Sequence, residues 1–212
     1  MAFTFADHVL VTPELFEAFT GLDDASMSAA DKLSTELLVN ASSKQILQFT
    51  GRLFKQGTFS EVWDGQDSDL ILTTEYPVIS VTSVKFSFNG DFASQQAIDP
   101  QLYGVDPSGS SISFRGNVRT PLERACVQVV YQAGYATIPE DLQLASLLQY
   151  KFLASLKSGG GMIGLDSIAK MQESQRKDQS LKRGGLISEV VGMLESYRRI
   201  DAPMSVSFAR VT

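Results

Sequence analysis

The stretch Asp31–Gly51, DKLSTELLVNASSKQILQFTG, constrains this chain more than any other. Ala30, Leu33, Leu37 and Ala41 recur at three- and four-residue steps, and Leu38, Ser42, Ile46 and Phe49 form the neighbouring row. That spacing predicts a long helix with an apolar stripe along one side. Ser28, three residues before Asp31, sets up a capping box, and Gly51 can close the last turn in the left-handed conformation. At 1.5 Å per residue such a helix is a rod of about 33 Å. A rod of that length calls for more than one partner surface, within the chain or from another subunit. An ordinary core helix of a monomer fits the same spacing.

Before it, residues 9–20 predict a short helix capped by Thr12, with Pro13 at its first position, Leu15, Phe16 and Phe19 inward, and Gly21 as its stop. After Gly51 the pattern changes to period two. Thr58–Trp63, Asp69–Thr73, Val78–Phe88, Tyr103–Val105, Ser111–Phe114 and Ala125–Tyr131 read as short strands, with Asp64-Gly65 and Asn89-Gly90 as tight turns. Within Val78–Phe88 the residues Val78, Val84, Phe86 and Phe88 share a parity and should face one way. Residues 91–110 form a long loop around one short strand. Thr137-Ile138-Pro139-Glu140 opens a helix over 139–157. It carries Leu144, Leu148, Phe152 and Leu156 on one row and Leu147, Tyr150 and Leu153 on another side, a pattern that calls for burial on two sides. A last helix spans 186–199, and Met204–Val211 alternates like a strand able to add to another sheet edge.

The expected architecture is α+β: a helical body of about four helices, an inserted antiparallel β-sandwich or barrel, and an extended C-terminal tail. The boundaries are 1–52 and 137–200 for the helical body, 53–136 for the β-domain, and 201–212 for the arm.

Catalytic patterns are scarce. His8 is the one histidine in the sequence, so neither a His-based triad nor a multi-His metal site can be assembled from one chain. Cys126 is the one cysteine; no intrachain disulfide forms, and a strand position with only Arg124 nearby suits a structural thiol. Gly159, Gly161 and Gly164 spell G-x-G-x-x-G, but after a helix rather than a strand, which fits a hinge and not a dinucleotide site. Asp64, Asp67 and Asp69 lack the spacing and the glutamate of a calcium loop. Arg176, Lys177, Lys182 and Arg183 are interrupted by Asp178 and suit a solvated segment. Trp63, Tyr131, Tyr135 and Tyr150 suit core or interface anchors. No catalytic residue, cofactor or metal is expected.

The formal charge of −6 argues against a basic nucleic-acid-binding domain, which needs clustered Lys and Arg, but does not exclude a surface that repels DNA. No run approaches the ~18 apolar residues of a membrane span. The N-terminal MAFTFADHVLVTPE has no Lys or Arg ahead of its apolar residues, so a secretory signal is not expected and synthesis in a reducing cytoplasm is.

Four stretches share an order with a known family. They are Ile46-Leu47-Gln48-Phe49-Thr50-Gly51-Arg52; Tyr76-Pro77-Val78-Ile79-Ser80-Val81-Thr82-Ser83-Val84; Val127–Tyr135 followed by Ile138-Pro139-Glu140-Asp141-Leu142; and Leu194-Glu195-Ser196-Tyr197-Arg198-Arg199. In these the chain resembles the head–tail connector (adaptor) proteins of long-tailed double-stranded DNA bacteriophages. The loop 91–110 and the tail after Asp201 are longer than that pattern. The resemblance implies a non-enzymatic virion protein of the neck, assembled as a ring of about twelve copies with heterologous interfaces. The ring docks beneath the portal, lets DNA pass through its channel without sequence-specific binding, and offers a platform to a stopper or tail-completion protein. Such a ring would carry a formal charge of roughly −72.

On this reading Tyr197, Arg198, Arg199, Met204, Val206 and Phe208 contact the portal, the 89–110 loops face the distal partner, and Leu147, Tyr150 and Leu153 lie between copies. The alternatives are a tail-terminator or tail-completion subunit of a hexameric ring, a small metal-dependent hydrolase or nuclease working through carboxylates, and a monomeric ligand-binding β-domain.

Overall fold

The computed structural model describes residues 3–158, 185–198 and 207–210, the last four through their backbone. The basic cluster at 176–183, the glycines of the G-x-G-x-x-G, and Arg199, Met204 and Val206 lie outside the described residues. The chain is α+β and divides into two compact units, one of residues 1–52 with 137–199 and the other of 53–136 with 200–212.

The first unit holds α1 (Pro13–Thr20), α2 (Ala29–Thr50), α3 (Glu140–Ser158) and α4 (Ser188–Leu194), the last followed by a 3-10 turn at Glu195–Tyr197. The caps act as their residues dictate: Thr12 and Ser28 accept from Leu15 N and Asp31 N, and Gly21 and Gly51 close their helices in the left-handed region. Residues 3–11 form a strap along α2, with a turn at Asp7-His8 closed by Val9 N donating to Ala6 O at 3.0 Å. Thr4 N donates to Glu36 Oε1 at 2.7 Å, Ala6 N to Asn40 Oδ1 at 3.1 Å, and His8 Nε2 lies 3.2 Å from Asn40 O. Phe16 packs edge-on against Phe3, Phe5 and Tyr150, with ring centroids 4.8–5.6 Å apart, which closes the core of this unit.

The buried face of α2 differs from the expected stripe. Leu33 and Leu37 are 68% and 67% exposed, whereas Thr35, Val39, Ser42, Ser43, Ile46 and Thr50 point inward. The reason is a close approach of α2 and α3 through small hydroxyl residues. Ser43 Oγ sits 3.0 Å from Ser146 Oγ and accepts from Leu10 N, while Ser42 Oγ returns its proton to Val39 O. Leucines on that face would hold the helices apart; the serines satisfy one another instead.

In the second unit, β1 (Gly57–Trp63), β3 (Val78–Phe86), β6 (Val127–Ala133) and β7 (Ser207–Arg210) form an antiparallel sheet in the order β3-β6-β1-β7. β2 (Leu70–Leu72), β4 (Tyr103–Val105) and β5 (Ser111–Phe114) form a second, ordered β2-β5-β4. One apolar cluster, including Phe59, Trp63, Val84, Ile112, Val127 and Val129, joins both sheets as a sandwich. Two findings bear on the expected strands. Val78, Val84 and Phe86 face the core together, and Val81 joins them because irregularities between Val78 and Ser80 and between Val81 and Ser83 shift the register; Phe88 departs from the expectation, lying past the end of β3 and 80% exposed. Asp64-Gly65 does not turn β1 back onto β2, because those strands belong to different sheets.

Candidate assembly surfaces

Three stretches of the connector pattern converge within the helical unit. Arg52, one residue past the cap of α2, is 2% exposed and donates from Nη1 to Tyr197 O at 3.2 Å. Tyr197 Oη donates to Asp141 Oδ2 at 2.7 Å, in the first turn of α3. The Arg198 guanidinium lies 5.9 Å from the centre of the Phe49 ring. Residues from F-T-G-R, P-E-D-L and Y-R-R thus make one clamp on the end of the last helical segment. Its beginning is held as firmly. Gln149, fully buried, donates to Gln45 Oε1 at 2.8 Å and Gly185 O at 3.0 Å, and accepts from Ile187 N at 3.3 Å. Gln149 carried no signal in the sequence, where it sits among apolar residues of a helix.

The remaining stretches meet in the β unit. Gly134 N donates to Pro77 O at 3.0 Å, Tyr135 N to Phe54 O, and Gln56 N to Tyr135 O. Gly134 has φ +101°, and a Cβ there would lie 2.7 Å from Lys55 O, so that position needs glycine. Near this junction Tyr131 Oη donates to Glu61 Oε1 at 2.6 Å and accepts from Glu75 N at 3.1 Å, with all three residues buried. Burial first, then the Glu61 carboxylate beside it, pushes the Tyr131 phenol well above its ordinary range. The folded state therefore keeps a proton that the unfolded chain loses near pH 10. Stability from this group is intact below that pH and falls as pH rises beyond it, by about 1.4 kcal/mol per unit. Tyr131→Phe is expected to cost about 1–2 kcal/mol at pH 7, where Glu61 loses a donor, and less at pH 11. Urea unfolding at the two pH values measures the difference.

The residues expected between copies divide. Leu147 and Tyr150 are buried in the core of their own unit, against the N-terminal strap and α1. Leu153 is half-buried, and Leu144 and Leu156 are each 38% exposed. Of the residues expected at the portal, Tyr197 and Arg198 sit in the clamp, and Phe208 falls in β7, its backbone opposite Glu61.

In the β unit the loop after β3 is held by its own polar groups. Ser87 Oγ donates to Asn89 Oδ1 at 2.8 Å, Lys85 Nζ to Phe92 O at 2.9 Å, and Ser94 Oγ to Asp91 Oδ2 at 2.7 Å. The Ser94 hydroxyl, followed by backbone N–H groups, holds the Asp91 carboxyl below its usual range. Phe88 stands on this braced loop.

Chemistry is sparse among the described residues. No three His, Cys, Asp or Glu side chains are placed to hold a metal. Cys126 is buried, its Sγ 3.5 Å from Pro121 O. A cleft of about 150 Å³ lined by Trp63, Asp64, Leu70, Leu72 and Thr120 contains one carboxylate, whose Oδ1 already accepts from Ala125 N. No described helix is long and apolar enough to cross a membrane.

A family model described as head completion protein matches residues 9–200. Among solved structures, the chain is similar to one in the virion of a native gene transfer agent particle, at 16% identity and a TM-score of 0.58, covering 95% of this chain and 96% of that one. It is similar also to chains in the neck of the empty particle computed with C6 symmetry (14%, TM-score 0.59) and the neck of the native particle computed with C12 symmetry (16%, TM-score 0.56), with the same coverage. At these identities the likeness concerns the fold. No curated protein matches.

Proposed function

Because the chain belongs to the head completion protein family, we propose that it is a structural subunit of the neck of a phage-like particle. It forms a ring of about twelve copies beneath the portal, extends the DNA channel and receives a stopper or tail-completion protein. The observation that carries this reading is that the family pattern spans both units and that three of its separated stretches meet in one clamp within the helical unit. The clamp has no reacting group. What it does is fix where the C-terminal arm leaves the helical body. The net charge of −6 supports an unsticky channel wall.

Contacts between copies use Leu33 and Leu37 on α2, exposed among the described residues, and Leu153 on α3, which is half-buried. Portal contact runs from Tyr197, Arg198 and Arg199 into Met204 and Val206. Replacing Met204 and Val206 by serine is expected to weaken portal binding at least tenfold, about 1.4 kcal/mol, without altering unfolding. Equal binding in a pull-down with purified portal contradicts the assignment. The distal partner meets the 89–110 loops, with Phe88 as the exposed anchor. Phe88→Ser with alanines at exposed positions of 91–97 should block tail attachment while leaving rings on the portal. Normally tailed particles by electron microscopy would count against it. Native mass of the assembled ring separates about twelve copies from the six of a tail-terminator.

A further inference from the structure

We propose that the cleft beside Trp63 is a socket for one anchor side chain of the distal partner, an apolar residue carried on a basic segment. The inference deepens, and rests on, the reading that the β unit faces that partner. The cleft lies where β1 ends and β2 begins, with Trp63, Leu70, Ile71, Leu72 and Val127 in its wall. Its volume of about 150 Å³ decides what it can take. Sites for small-molecule ligands measure roughly 300–1,000 Å³, whereas an apolar cavity of about 150 Å³ holds a single benzene ring. One aromatic or branched aliphatic side chain therefore fits, and a cofactor-sized ligand does not. Trp63 is 3% exposed, and its Nε1 has no hydrogen-bond partner among the described residues. A buried donor left in that state needs an account; an oxygen acceptor brought in by the occupant supplies one.

The socket is built before anything enters it. Thr120 Oγ1 accepts from Gln66 N at 3.2 Å and from Ser68 N at 3.1 Å, and Gly65 N donates to Glu123 O at 2.8 Å. The loops 64–69 and 119–126 are thus tied together beside the cleft, and a pre-formed wall lowers the ordering cost of binding. Leu70 and Leu72 are 43% and 49% exposed, and Leu122, two residues past Thr120, is 77% exposed, an apolar setting suited to contact with another protein. Charge selects the kind of segment. Asp64, Asp67, Asp69 and Glu123 lie on the two loops with Arg119 and Arg124, four carboxylates to two guanidinium groups. Arg119 is already drawn to Asp67 at 3.7 Å. The surplus is negative and favours Lys or Arg beside the anchor. Position selects the partner. Val127 pairs with Trp63 on one side and with Phe86 on the other. The cleft and the Phe88 loop therefore share one end of the sheet, on strands about 10 Å apart. A protein that covers Phe88 is within reach of the cleft.

Trp63 is the one tryptophan in the sequence, so 5-hydroxytryptophan incorporated there can be excited apart from the tryptophans of other virion proteins. Tailless particles carrying rings of the labelled chain are titrated with the purified protein that follows this chain in the neck. A shift in emission that saturates with binding is expected. Leu70→Ser with Leu72→Ser should weaken that binding about tenfold without altering unfolding, and Asp69→Lys with Glu123→Lys should slow association about threefold. An unchanged association rate in the lysine variant overturns the basic segment. Binding that Phe88→Ser weakens, with emission unmoved and the serine variant at natural affinity, overturns the socket and leaves the distal reading standing. Emission that shifts already on ring assembly, before the other protein is added, gives the cleft to a second copy and overturns the proposal. No binding to the particles, with tails attached normally to rings of Phe88→Ser, overturns both readings together.

Discussion

Arg52→Ala is expected to release the C-terminal helical segment from the body of the protein and to lower stability by about 3 kcal/mol or more. Arg52 is among the largest fully buried side chains, and its Nη1 holds the Tyr197 carbonyl. Truncation at Cβ leaves a void the length of a guanidinium stem, and that carbonyl loses its charged donor. The loss should be local before it is global. Tyr197 would keep its exposed bond to Asp141, a neutral-to-charged contact of modest worth. Hydrogen exchange is therefore expected to quicken over residues 186–198 while α2 and α3 stay protected, and urea unfolding should begin earlier. Arg52→Lys should restore little, because an ammonium reaches as a point charge and lacks the planar fork. Unchanged exchange over 186–198 in Arg52→Ala would show that the clamp does not hold that segment.

The second large effect is expected at Gly65. A Cβ there would lie 1.6 Å from Pro121 O and 2.7 Å from Cys126 Sγ, and the glycine N–H donates to Glu123 O at 2.8 Å. The backbone of the 119–126 loop rests directly on this residue, so no rotamer change can make room. Gly65→Ala must push the loop away, at an expected cost of about 3 kcal/mol. Cys126 gives a second readout. In the natural chain it is buried and should react slowly with a thiol reagent; with the loop displaced, labelling should become at least tenfold faster. Natural stability and slow labelling in Gly65→Ala would contradict the packing described.

Gly65 illustrates what could be read in the sequence and what could not. Asp64-Gly65 is a strong turn dipeptide, and a break in the chain does occur there. Its glycine is required by a backbone lying against it from 56 residues later in the sequence, a contact with no local signature. The α+β class, the positions of the helices and the caps at Thr12, Gly21, Ser28 and Gly51 were legible because each depends on neighbours within one or two turns. The inward face of α2 was not. Counting apolar residues selected Leu33 and Leu37, whereas close packing of two helices selected Ser42, Ser43 and Ser146. The Tyr76-Pro77, AGY, FTGR and YRR stretches could be recognised as a pattern. Their physical roles depend on contacts such as Arg52 to Tyr197, 145 residues apart, and only the fold shows them.

The measurement closest to the central claim is the number and position of copies of this chain in purified particles, by cryo-electron microscopy of the neck with quantitative mass spectrometry. One ring of about twelve copies between head and tail, with each C-terminal arm directed to the portal side, is the predicted result. Particles that carry full tails and inject DNA without containing the chain would contradict it.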